Sequence, residues 1–225
     1  MVSFKTMKLN NLSKHFPITT KSMNELLLST KNKHKILEIQ EVLRSVISDC
    51  TILSLDSYSA TIPDVEETLD TIEGNAYLKA IQVFNLTQIP TLSDDSGLEI
   101  DALNGRPGVY SSRYSGENAS DSSNRKKVLE ELHGIVPLKR TARFRTVICY
   151  TDQLRTIFFE GVCEGHITEQ DFGERGFGYD QIFIPVGSTK TFGQMDMTEK
   201  NQYSHRKIAL SKFLEFYRTL YEPID

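Results

Sequence analysis

The sequence predicts a mixed α/β fold, a sheet with flanking helices and a cleft between two lobes. Two observations carry this expectation. Strand and helix patterns alternate through the first half of the chain. The stretch from Arg140 to Thr168, "RTARFRTVICYTDQLRTIFFEGVCEGHIT", is instead rich in β-branched and aromatic residues around a turn-like Thr151 to Gln153, the pattern of a long antiparallel hairpin. With no internal repeat or low-complexity linker to divide it, the chain reads as one domain over residues 25–225, preceded by a poorly ordered extension over residues 1–24.

The elements follow in order. "ELLLST" is a short apolar strand, and "NKHKILEIQEVLRSVI" places Ile36, Ile39, Leu43 and Val46 at helical spacing, so strand, tight turn and helix succeed one another. "TILSL" is a second strand, and Asp56 to Thr71 is a polar loop carrying "DVEETLD". "GNAYLKAIQVFNLT" is a helix with Ala76, Ala80, Val83 and Phe84 on its apolar face. "PTLSDD" and "GLEIDAL" read as strands broken around Asp94 and Asp95, with turn residues in "LNGRPG". "SDSSNRKKVLEELHG" is a helix opened by capping residues and closed by Gly134. After the hairpin, the loop "FGERGFGYD" leads into "QIFIP", and Ser204 caps a last helix, "HRKIALSKFLEFYRTLY".

Composition narrows the function classes. Of 225 residues, 39% are hydrophobic and 25% charged, an ordinary globular balance. A formal charge of −4 argues against stable nucleic-acid binding, which needs a clustered basic excess. No segment reaches the roughly 20 apolar residues of a membrane span. Cys50, Cys149 and Cys163 are far apart and form no CxxC pair, which disfavours a disulfide framework or zinc site and points to a reducing cytoplasm.

Three clusters carry chemistry. Neighbouring side chains on a strand face opposite ways, so one of Asp94 and Asp95 is placed to coordinate a metal, with Glu66 or Glu67 of the acidic loop as a second carboxylate. Mg²⁺ commonly uses one or two carboxylates and completes its shell with water and substrate phosphate; the competing reading is a solvated acidic turn. The "STKNKHK" turn sets Ser29, Thr30 and Asn32 at a helix start, where amides and the helix dipole favour an anion, and adds Lys33 and Lys35; the competing reading is a capped helix with exposed lysines. Lys79, taken singly, reads as a surface lysine. In "GFGYD" and "EKNQYSHR", Phe177 between glycines can stack on a base, and His205 and Arg206 can donate to a carbonyl oxygen; singly, they read as core ring and local ion pair.

Taken together, "TKNKHK", "VEET", "GNAYLKA", "SDDSGLEIDALNGRPGVYSSRYSG", "GFGYDQIF", "KTFGQM" and "EKNQYSHRKIAL" closely resemble the motifs of the inosine triphosphate pyrophosphatase family, also called the Ham1 or RdgB family, from about Glu25 to Leu220. The resemblance implies an elongated mixed sheet, a homodimer, and Mg²⁺-dependent hydrolysis of deaminated purine nucleoside triphosphates (ITP, dITP and XTP) to monophosphate and pyrophosphate. Carried over by motif, Thr30, Lys31, Asn32, Lys33, His34 and Lys35 are the triphosphate turn, joined by Lys79. Glu66 and Asp95 are the metal carboxylates, Asp95 is also the proton acceptor, and Ser96 lies beside the substrate. Phe177, Gly178, Tyr179, Asp180, Lys200, His205 and Arg206 form the nucleoside set. Three positions depart from the family pattern: His34 where a Gly often precedes the lysine, Gln181 for a Pro, and Gln194 for a Glu. The alternatives are a Maf-type pyrophosphatase preferring pyrimidine or modified nucleotides, a sensor that binds without turnover, and an interaction domain.

Overall fold

The structure, a computed structural model, describes residues 25–44, 47, 50–56 and 62–221, so the expectation for residues 1–24 lies outside the described residues. Strand β1 (Glu25–Leu28) buries Leu26, Leu27 and Leu28 completely. Helix α1 (Lys33–Arg44) turns Ile39 and Leu43 onto the core that takes Leu26 and Leu28, as their spacing requires. Next come β2 (Thr51–Ser54) and α2 (Ile72–Thr87), which starts where the Thr71 hydroxyl accepts the Gly74 N–H. Then follow β3 (Thr91–Ile100), β4 (Pro107–Gly108) and α3 (Asp121–Glu131), the last opened by a Ser120–Ser123 capping box. The expected hairpin is β5 (Thr141–Thr151) and β6 (Thr156–Ile167). Strand β7 (Phe183–Pro185), a short α4 (Met197–Lys200) and α5 (His205–Tyr221) complete the order.

The seven strands form one mixed sheet in the order β2-β1-β3-β5-β6-β7, with β4 also on β3. Its first strands are parallel and the rest antiparallel. Alternation along β5 sends Val147 and Cys149 to α2 and Ile148 and Tyr150 to α1 and α5. At the other end, Leu98, Phe144 and Phe183 join Val128 of α3 and Leu132 at its C-terminal cap in a second core. Helix α5 lies close over β6 at Gly161, where a Cβ would overlap the His205 carbonyl oxygen.

One expectation is corrected. The acid pair does not break a strand: β3 runs unbroken through it, because β5 pairs along its whole length, Asp94 opposite Ile148 and Asp95 opposite Val147. The other edge of β3 is shared. β1 takes Thr91 and Leu92 and β4 takes Leu98 and Glu99, so among the described residues Ser93 to Gly97 has no strand partner there. The cleft opens at this gap in the pairing.

Candidate active site

The cleft, about 370 Å³, is lined from the β1–α1 turn, the acidic loop, α2, β3, the Phe177–Asp180 loop and the start of α5. Strand alternation divides the acid pair between the two faces of the sheet. Asp94 faces α1 and α5: its Oδ2 lies 3.0 Å from Lys35 Nζ and 3.3 Å from Arg206 Nε. Asp95 faces α2, with Oδ1 2.9 Å from Lys79 Nζ, which also lies 2.8 Å from Glu67 Oε1. One ammonium thus joins two carboxylates at the cleft wall.

The two aspartates are electrostatically unlike. Burial works against charge on Asp94, but Lys35, Arg206 and Lys79 outweigh it and hold the carboxyl well below its ordinary range. For Asp95 burial prevails over the pull of Lys79 and Lys35, and its affinity for a proton is raised. Asp94 is therefore a fixed anion that anchors two cations, and Asp95 is the group suited to accept a proton. Burial draws Lys35 down, whereas its carboxylate neighbours overcome burial to raise Lys79. Lys79 is thus no surface lysine: it is 8% exposed, drawn inward by Asp95 and Glu67.

The ionic network continues through α5. Arg206 also pairs with Glu38 and donates from Nη2 to Ser96 Oγ at 3.1 Å. Lys200 Nζ lies 2.9 Å from Glu38 Oε1 and 2.8 Å from Asp180 Oδ2, which accepts the Phe177 N–H at 3.0 Å. His205 stacks flat on Phe144, ring centroids 4.8 Å apart, with Nδ1 buried and unpartnered. Burial, reinforced by Arg206 and Lys200, pushes its pKa well below the usual value, so the ring is neutral.

At the β1–α1 turn, Asn32 Oδ1 accepts the N–H groups of His34 (3.0 Å) and Lys35 (3.2 Å), and Thr30 Oγ1 accepts that of Asn32 at 3.2 Å. Asn32 is thus a helix cap that presents the turn with its amides already ordered. Thr30, Lys31, Asn32 and Lys35 line the cleft, while Lys33 is exposed outside it and His34 lies in an adjoining cavity against Phe177. Glu66 points to solvent outside the lining; the neighbouring Glu67 occupies the place beside Lys79 and Asp95. Of the two carboxylates that the acidic loop offers, Glu67 and not Glu66 lines the cleft. Tyr179 is mainly an anchor, 4% exposed, its hydroxyl donating to the Ser111 carbonyl at 2.8 Å.

Sequence reasoning missed Glu38, Asp121 and Arg125. Glu38 is 6% exposed on the buried side of α1, and its one signal was its position three residues after Lys35. Asp121 accepts the Gly178 N–H at 2.7 Å and Arg125 donates to the Gly178 carbonyl at 2.9 Å, so α3 clamps the Phe177–Asp180 loop by its backbone. Nothing in the local sequence of α3 announced that long-range contact.

Among the described residues no cluster of three or more His, Cys, Asp or Glu forms a closed metal cage, and no helix is long and apolar enough to cross a membrane. All three cysteines are free thiols. A family model described as "Ham1 family" matches residues 26–216. The chain is 43% identical over 199 residues to the dITP/XTP pyrophosphatase of Oceanobacillus iheyensis, covering 88% of this chain and 100% of that one. It is 46% identical over 191 residues to the dITP/XTP pyrophosphatase of Halalkalibacterium halodurans, with coverage of 84% and 97%. The solved structure of a HAM1 protein from Coxiella burnetii matches with a TM-score of 0.79 at 38% identity, over 88% of this chain and 100% of that chain. By sequence along its length and by fold, the chain belongs to the Ham1 family.

Proposed function

We propose that this protein hydrolyses deaminated purine nucleoside triphosphates (dITP, ITP and XTP) to monophosphate and pyrophosphate, keeping them out of DNA and RNA. The observation that carries the reading is the pair of carboxylates, Asp95 and Glu67, meeting one lysine at a cleft whose floor is the β1–α1 turn. The names of its relatives in the Ham1 family support the same substrate class.

The donor set fits Mg²⁺: two hard carboxylate oxygens on an open wall, to be completed by water and phosphate oxygens. Asp95 and Glu67 would hold the ion, which supplies charge neutralisation and polarises the phosphoryl oxygens. Lys35, Lys79 and the Thr30–Asn32 segment bind and orient the triphosphate. Asp95, with its raised proton affinity, accepts the proton of the water that attacks the α-phosphorus in line, and pyrophosphate leaves. Ser96, held by Thr146 at 2.8 Å and by Arg206, positions the polyphosphate beside it.

For the base, Phe177 is the stacking surface. His205 is neutral and offers a single N–H donor. That donor satisfies a 6-oxo purine and leaves the 6-amino group of adenine facing a donor, a mismatch of about 1–3 kcal/mol. The Arg206 guanidinium already bonds Glu38, Asp94 and Ser96, so it braces this corner as well as facing the base. The reading includes the homodimer expected from the family resemblance and a cytoplasmic location. Product analysis with ITP, XTP, ATP and dTTP, with and without Mg²⁺, tests it. Monophosphate and pyrophosphate from ITP and XTP in the presence of Mg²⁺ are expected; preference for dTTP, or binding without turnover, would replace the reading. Light scattering tests the dimer.

A further inference from the structure

His34, the departure in the phosphate turn, lies face to face with Phe177, ring centroids 5.1 Å apart and planes 16° from parallel. The two come from different elements: His34 from the first turn of α1, Phe177 from a loop whose flanking Gly176 and Gly178 both have positive φ. The His34 backbone N–H is fixed by Asn32 Oδ1, the atom that also orders the Lys35 amide. The Phe177 N–H is held by Asp180, and Lys200 Nζ, which lines the same adjoining cavity as His34, stands 5.0 Å from the Phe177 ring centroid. One residue therefore belongs to the phosphate turn by its backbone and to the base platform by its side chain. His34 is exposed, so the contact adds little to the core.

We propose that His34 is a positioning residue that couples the two halves of substrate recognition: its imidazole backs Phe177, so that the ordered phosphate turn fixes the plane on which the base stacks. The inference rests on the proposed nucleotide site. It leaves one face of Phe177 for the base and assigns the other to His34. Removing the imidazole frees the Phe177 ring without touching Asp95, Lys79 or Glu67, so the loss falls on binding and not on the chemical step.

The test is a double-mutant cycle, with wild type, His34→Ala, Phe177→Ala and the double variant compared for ITP hydrolysis and for binding of IMP by calorimetry; His34→Phe is the rescue variant. His34→Ala is expected to raise KM for ITP and Kd for IMP roughly 3- to 10-fold, the range of one aromatic pair, with kcat within about twofold. His34→Phe restores both, and His34→Ala adds nothing once Phe177 is gone. Competition by inorganic tripolyphosphate, which engages the turn alone, is unchanged in His34→Ala. Additive losses, failure of the Phe rescue, or a weakened tripolyphosphate site would overturn the coupling. Absence of ITP turnover in wild type would instead break the proposed activity, and the IMP cycle would still decide the role of His34: no coupling there, or no IMP binding by wild type, overturns it.

Discussion

Replacing each of the paired aspartates by asparagine separates a structural acid, Asp94, from the proposed proton acceptor, Asp95. Asp94 is fully buried, with Lys35 at 3.0 Å and Arg206 at 3.3 Å. Removing its charge leaves the buried Arg206 and the half-buried Lys35 short of an anion, and breaking a buried pair from one side costs about 3–5 kcal/mol. The amide keeps an acceptor and Arg206 keeps Glu38, so the lower end applies. At about 2–4 °C per kcal/mol for a chain of this size, Asp94→Asn should melt roughly 6–12 °C below wild type. Asp95→Asn behaves oppositely. The fold already raises the proton affinity of Asp95, so neutralising it takes away little stability, and Lys79 retains Glu67 at 2.8 Å. Turnover, however, loses its proton acceptor, a factor on the order of 10²–10⁴. Calorimetric melting and steady-state ITP hydrolysis on both variants read the two effects. Equal melting losses, or an Asp95→Asn enzyme within tenfold of wild type, would refute the division of labour.

Other perturbations follow from the same geometry. Lys79→Met removes the charge that most lowers the Asp95 pKa, so the acid limb of the kcat/KM profile for ITP should move to higher pH; an unmoved limb would separate Asp95 from the rate-limiting protonation. Lys35→Ala should raise KM for ITP and ATP by the same factor, because a phosphate contact carries no information about the base; a changed ITP-to-ATP ratio would contradict it. His205 is neutral in the fold, with a pKa below 6.5, whereas the unfolded chain takes up the proton. Its contribution to stability is therefore whole above pH 6.5 and falls as the pH drops below it, by about 1.4 kcal/mol per pH unit until the folded ring protonates. In His205→Gln, denaturant unfolding at a series of pH values should show that slope flattened.

Local pattern made most of the fold legible. The leucines of β1, the Ile39–Leu43 spacing of α1, the Ser120 cap and the hairpin each announce their element within a few residues. The continuity of β3 was hidden because two adjacent acids read as a turn until their partners are known; Lys35, Arg206 and Lys79 come from three other elements. The same distance in sequence concealed the burial of Lys79 and the clamp of α3 on Gly178. Glu66 and Glu67 are neighbours in one loop, and which of them lines the cleft is a one-residue phase that composition does not fix. The motifs identified the cleft, and the ion pairing within it required the tertiary structure.

The central claim is that Asp95 directs water to the α-phosphorus. Hydrolysis of ITP in ¹⁸O-labelled water, with mass analysis of both products after a single turnover, tests it most directly. The account predicts label in the monophosphate and none in pyrophosphate, with both products lost together in Asp95→Asn. Label in pyrophosphate, or in free phosphate released stepwise, would place the attack at another phosphorus and contradict it.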